Sequence, residues 1–202
     1  LPLAAEPYAA ALDLVFDAAA SNFARSALVG LLRSPLFTFR AGRARVDADG
    51  VAALDRRLSE ARYLAEPAEL QRFAREWRQP VALQRAARAA AAIAEALRPL
   101  REDGRPTAHL DTVLAFLRSH DRPLRGPSVL IERHQRVRSA VVSALARLRA
   151  AHARFDDEPR PFAETAALGV FFAADPLLRC LSWQVAALLV GIAMAAGGDG
   201  RQ

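Results

Sequence analysis

The 202 residues carry 28 basic side chains, every one of them arginine, against 22 acidic ones, for a net charge of +6; 52% of the chain is hydrophobic and much of that is alanine. Without lysine there is no Gly-Lys-Ser/Thr phosphate loop, no kinase strand lysine and no pyridoxal Schiff base, so those enzyme classes are excluded. Alanine gives up no side-chain entropy in a helix, β-branched and aromatic residues are sparse, and no long run alternates apolar with polar, so the expected fold class is all-α, a multi-helix bundle or array.

Pro7 suits the first turn of a helix, and Leu12, Val15, Phe16 and Ala19 follow at helical spacing until Ser21-Asn22 breaks the run. Leu28, Leu31 and Leu32 share one face of a second helix, stopped by Ser34-Pro35. Leu36 to Phe39 reads as short and extended. Arg40, Arg43 and Arg45 fall in a flexible basic loop, and Asp47 to Gly50 reads as a turn and cap. The next helix turns Val51, Leu54, Leu58 and Ala61 inward. Glu66-Pro67 opens another, whose Leu70, Phe73, Ala74 and Trp77 form an amphipathic stripe ended by Pro80. From Val81 to Arg98 the inward face is thin: Leu83, Ala87, Ala90, Ile93 and Leu97. Pro99 to Pro106 is a charged loop, and Thr107 is the expected N-cap of a helix with Leu110, Val113, Leu114 and Leu117 inside.

After a Pro/Gly-rich loop from Asp121 to Pro127, Ser128 starts the longest helix, running to about Arg154 with Leu130, Val137, Val141, Leu145 and Leu148 on its core side. Asp156 to Pro161 reads as a solvated linker. The expected division is a helical domain over 1–165 and an apolar C-terminal segment over 166–202. From Leu168 to Gly197 the only charges are Asp175 and Arg179. The stretch Leu181–Gly197 approaches a membrane span in length and polarity. A buried terminal helix, a membrane helix and an aberrant tail are the three readings for it.

Cys180 is the single cysteine, so no internal disulfide is possible and the expected setting is the reducing cytoplasm. The start is not a signal peptide, because Glu6 and Asp13 interrupt it and no basic region precedes it. The chain begins at Leu1, and its one methionine is Met194, so a fragment or processed product is expected. His109, His120, His134 and His152 make no HExxH pair, and the serines and glycines form neither a nucleophile elbow nor a phosphate cradle. No catalytic residue, metal site or cofactor is expected. Two arginine sets are candidate phosphate contacts, because guanidinium forks match phosphate oxygens. They are Arg40, Arg43 and Arg45 in the loop, and Arg133, Arg136, Arg138, Arg147, Arg149 and Arg154 on the long helix, Arg133 and Arg136 foremost. The alternative is that such arginines are solvated faces or pair with nearby acids. Aromatics do not interleave with either set, which argues against base stacking.

One string is more specific. Phe23, Arg25, Leu28, Leu31, Leu32, Arg33, Ser34, Pro35 and Phe37 stand in the order Phe-x-Arg-x-x-Leu-x-x-Leu-Leu-Arg-Ser-Pro-x-Phe. This resembles a segment in the helical region of AddB-type and RecB-type bacterial helicase–nuclease subunits, whose chains often end in a PD-(D/E)XK nuclease domain. Leu54-Asp55-Arg56-Arg57-Leu58 fits the same order, and the resemblance covers Leu1 to about Leu168. It implies a helical insertion subdomain of a superfamily 1 helicase-like protein that packs beside the motor and helps guide DNA, with other domains or subunits of the helicase–nuclease as partners. The ATP site and the nuclease motif are absent, since both need lysine. Two other functions remain open. One is a free-standing interaction module that docks a partner through the Leu70/Phe73/Trp77 face or the apolar tail. The other is a membrane-anchored protein using Leu181 to Gly197.

Overall fold

The computed structural model describes residues 7–122, 128–155 and 157–165. The apolar run from Leu168 onward, with its three competing readings, lies outside the described residues. The elements in order are α1 (Pro7–Ala20), α2 (Arg25–Arg33), β1 (Arg40–Ala41), β2 (Ala44–Arg45), α3 (Ala48–Glu60), α4 (Pro67–Glu76), α5 (Val81–Leu97), α6 (Pro106–His120) and α7 (Ser128–Phe155). The protein is thus all-α, with sheet confined, among the described residues, to one two-residue hairpin and two isolated bridges. Among the described residues no helix is long and apolar enough to cross a membrane. The described residues fall into two compact units, one of residues 14–98 with 115–122, the other of residues 7–13, 99–114, 128–155 and 157–165.

In the first unit α5 is the central element. The expected thin stripe is in fact broad: Leu83, Ala86, Ala87, Ala89, Ala90, Ala91, Ile93, Ala94 and Leu97 are all buried, and Arg88, Ala92, Glu95 and Ala96 form the exposed face. Alanine at most of these positions lets both α3 and α4 pack on α5. Gln71 reaches from α4 to donate to the Ala91 carbonyl at 3.2 Å. The expected stripes hold at Leu28, Leu31, Leu32, Val51, Leu54, Leu58, Leu70, Phe73 and Ala74, all buried. Leu70 and Phe73 are core residues and not free to dock a partner, so of the Leu70/Phe73/Trp77 face only Trp77 remains partly exposed. Ala61, expected inside, is exposed at the C-cap of α3.

Two helix ends close without glycine. At the end of α1 the Phe23 amide donates to the Ala18 carbonyl and the Asn22 amide to Ala19, and at the end of α3 the Tyr63 amide donates to Leu58 and the Arg62 amide to Ser59. Both are Schellman motifs, which need a left-handed residue just past the cap. Asn22 (φ 56°) and Arg62 (φ 51°) fill that place. The Asn22 side chain also donates to the Ala65 carbonyl, tying the two turns together. Arg25 and Arg33 both reach Asp55, at 3.4 and 3.0 Å, and so join α2 to α3.

In the second unit the N-terminal half of α7 makes little core. Val141, Ala144, Leu145 and His152 are buried, but Leu130, expected on the core side, is 63% exposed, and Val129 is 70% exposed. Nor does Thr107 cap α6, which begins at Pro106. Its amide and hydroxyl donate instead to Asp157, at 2.9 and 2.8 Å. Asp157, expected in a solvated linker, is therefore the acceptor for the positive N-terminal end of α6. The same segment is pinned by paired backbone hydrogen bonds between Gly104 and Arg160. His109, buried, contacts the Glu102 carbonyl through Nε2 and Thr165 through Nδ1, with Phe162 edge-on to its ring.

Candidate nucleic-acid interface

Arg40, Arg43 and Arg45 are not in a flexible loop. Arg40 pairs across the strands with Arg45, and Ala41 with Ala44, so Gly42 and Arg43 form a two-residue turn. Gly42 has φ +62°, while Arg43 does not enter the left-handed region. Positive φ at the first central residue alone is the type II′ turn, whose twist matches that of the strands it joins. The signal was present in the sequence as a glycine at the first turn position. It was concealed because two-residue strands are too short to show alternation.

Alternation across the hairpin sets what each side chain does. Phe39 is buried while its neighbour Arg40 is exposed, and Arg45 stands exposed directly opposite Arg40. The two guanidinium groups therefore share the outward face, with exposed Arg43 at the turn. Like charges directly opposite each other disfavour a strand pair. None of the three has an ion-pair partner among the described residues, and Arg40 only donates, at 3.4 Å, to the Arg43 carbonyl. The hairpin is thus a small patch of positive charge with which no acid among the described residues pairs.

An aromatic base carries this patch. The Val46 amide donates to Phe39, the Thr38 amide to His120 and the Arg122 amide to Leu36, so the strand entering the hairpin is stitched to the end of α6. Phe39 stacks obliquely on His120 at 5.0 Å, and Phe116 lies edge-on to Phe37 at 5.8 Å and 4.6 Å from His120. Burial holds the His120 imidazole below its ordinary pKa, against an opposing backbone contact at Thr38. It is therefore neutral at neutral pH and adds no charge beneath the arginines.

The α7 arginines are deployed differently. Arg149 forms a bidentate pair with Asp111, at 2.6 and 2.8 Å, and Arg154 lies over Phe155. Arg133, Arg138 and Arg147 each have an interaction of their own within the protein. Arg136 is exposed. Arg133 and Arg136, one turn apart on α7, belong to the second unit, and the hairpin to the first. Among the described residues no group of His, Cys, Asp and Glu is arranged to hold a metal. His134 packs edge-on against Tyr8, and His109 and His152 are buried. No protein-family model, curated protein or solved structure matches the chain, so the chemistry of the site itself carries the functional reading.

Proposed function

We propose that this chain is a non-catalytic helical portion of a cytoplasmic DNA repair helicase–nuclease, contacting DNA phosphates through Arg40, Arg43 and Arg45. The observation that carries the reading is the hairpin: three exposed arginines without acidic partners among the described residues, on a turn of defined geometry braced by an aromatic cluster. Phosphate contacts of this kind position nucleic acid without reading its sequence. The Phe23-to-Phe37 string supports the family assignment and the helical insertion. Arg133 and Arg136 supply weaker, secondary contacts, since Arg133 is already engaged.

The test is a titration of labelled DNA with the pure chain at several salt concentrations. Three phosphate contacts contribute about 2.7 to the slope of log affinity against log salt. Over a fourfold rise in salt that amounts to roughly a fortyfold loss of affinity. Replacing the three arginines together with alanine is expected to remove that share of the slope and leave the fold intact, because it also relieves the Arg40–Arg45 repulsion. An unchanged slope, or no binding at low salt, refutes the reading.

A second reading, a protein-interaction module, is favoured by the exposed Val129 and Leu130 at the start of α7. On the first reading this face meets another domain or subunit of the same assembly. Binding of a partner protein that Leu130→Asp abolishes, in a chain that ignores DNA, supports the second.

A further inference from the structure

We infer that Trp77 is a stacking platform for an unpaired base of single-stranded DNA, in the same unit as the arginine hairpin. This rests on the reading of the hairpin as a phosphate contact and adds the substrate class: single strand in preference to duplex.

Trp77 follows the last residue of α4, where the backbone turns extended (φ −80°, ψ 95°). Phe73 stacks on it with centroids 4.1 Å apart and planes 10° from parallel. Phe73 is itself buried and braced edge-on by Tyr63. One face of the indole is therefore fixed against the core, while the residue as a whole stays only half-buried. The guanidinium of Arg57 lies over the ring, 5.5 Å from its centroid. That side chain is 51% exposed and held by one exposed ion pair, to Glu60 at 2.9 Å. Such pairs hold weakly, so the guanidinium is free to leave the ring. A base takes its place, exchanging a cation–π contact for base–aromatic stacking, and the displaced guanidinium meets the adjoining phosphate.

The surroundings favour a polyanion with bases over an apolar partner. The stretch from Arg56 to Arg78 holds six arginines and four glutamates. Glu60 is paired with Arg57, and Glu69 and Glu76 with Arg72. Arg56, Arg62, Arg75 and Arg78 are exposed with no ion-pair partner among the described residues. The platform and the hairpin belong to the same unit and are both tied to one helix crossing. A methyl group on Gly50 would fall 2.7 Å from the Ala82 carbonyl oxygen, so α3 and α5 nearly touch there. Arg45 stands five residues before Gly50, and Trp77 five before Ala82. Five residues of chain span at most about 18 Å, so both backbones lie within that distance of the crossing. Single-strand sites of about 4–16 nucleotides cover such a spread.

The experiment compares an oligothymidylate with an abasic oligomer of equal length, and with a duplex, binding to the full chain at low salt. The abasic oligomer carries the same phosphates and no base. It is expected to bind about tenfold more weakly than the oligothymidylate. Trp77→Ala is expected to abolish that difference and Trp77→Tyr to preserve it, while the triple hairpin substitution weakens both oligomers alike. Equal affinity of the unchanged protein for both oligomers overturns the stacking platform and leaves the hairpin contact standing. A difference that survives Trp77→Ala also overturns it. Binding of neither oligomer removes the hairpin reading and the platform together. If Trp77→Ala does not fold, the comparison on the unchanged protein and on Trp77→Tyr decides.

Discussion

The same substitution at two helical glycines is expected to change stability in opposite directions. Gly30 lies inside α2 and Gly50 in the first turn of α3, and alanine is favoured over glycine in a helix by about 1 kcal/mol. At Gly30 a new methyl carbon would find only the Leu14 side chain, at 3.8 Å, an ordinary contact. Gly30→Ala should therefore stabilise by about 0.5–1 kcal/mol. At Gly50 the methyl would lie 2.7 Å from the Ala82 carbonyl oxygen and 3.1 Å from the Asp47 carboxylate that caps the helix at 2.8 Å. A carbon normally stands about 3.3–3.6 Å from a carbonyl oxygen, so the two helices must part by more than about half an ångström. Val51, Leu83 and Ala86 are buried at this crossing, and overpacking of such a core costs about 1–3 kcal/mol. The clash exceeds the propensity gain, and Gly50→Ala should destabilise by about 1 kcal/mol. Urea unfolding of both variants measures the pair. At this chain length each kcal/mol also moves the melting temperature by about 2–4 °C. Stabilisation by both substitutions refutes the close approach of α3 and α5.

Three further outcomes are expected. Leu31→Ala, at a fully buried position, should cost about 2–5 kcal/mol, whereas Leu130→Ala should stay within about 0.5 kcal/mol because Leu130 is 63% exposed; denaturant midpoints separate them. Burial holds the His109 imidazole below its ordinary value of 6.5, partly opposed by the Glu102 and Pro99 carbonyls and by Asp103, and burial does the same at His120. The unfolded chain then takes up protons first as pH falls below about 6.5, so stability should decline from there toward the lowered native values, and His109→Gln should shallow the decline in melting temperature against pH. Asp157→Ala removes the acceptor for both Thr107 donors and should cost about 0.5–2 kcal/mol, seen first as faster amide exchange in the opening turn of α6.

Fold class was legible because alanine content and 3.6-residue spacing act locally: the leucine faces of α2 and α3 and the Leu70–Phe73 stripe can be read from neighbours within one or two turns. The absence of lysine likewise bounds the chemistry whatever the fold. Other features depended on residues far apart in the chain. The depth of α5 was not legible, since an alanine is equally at home on a surface or between two helices, and only α3 and α4 closing on both sides decided it. Asp157 reads as one acid in a charged linker until the chain returns it, fifty residues later, to the amide of Thr107. The arginines of the Phe23-to-Phe37 string are legible as charge, but their convergence on Asp55 is tertiary. The same holds for the candidate site. Sequence located Arg40, Arg43 and Arg45, while the II′ turn and cross-strand pairing set them on one exposed face. Trp77 was legible as the end of an apolar stripe, and only the stacking of Phe73 beneath it and Arg57 over it left an indole able to receive a base.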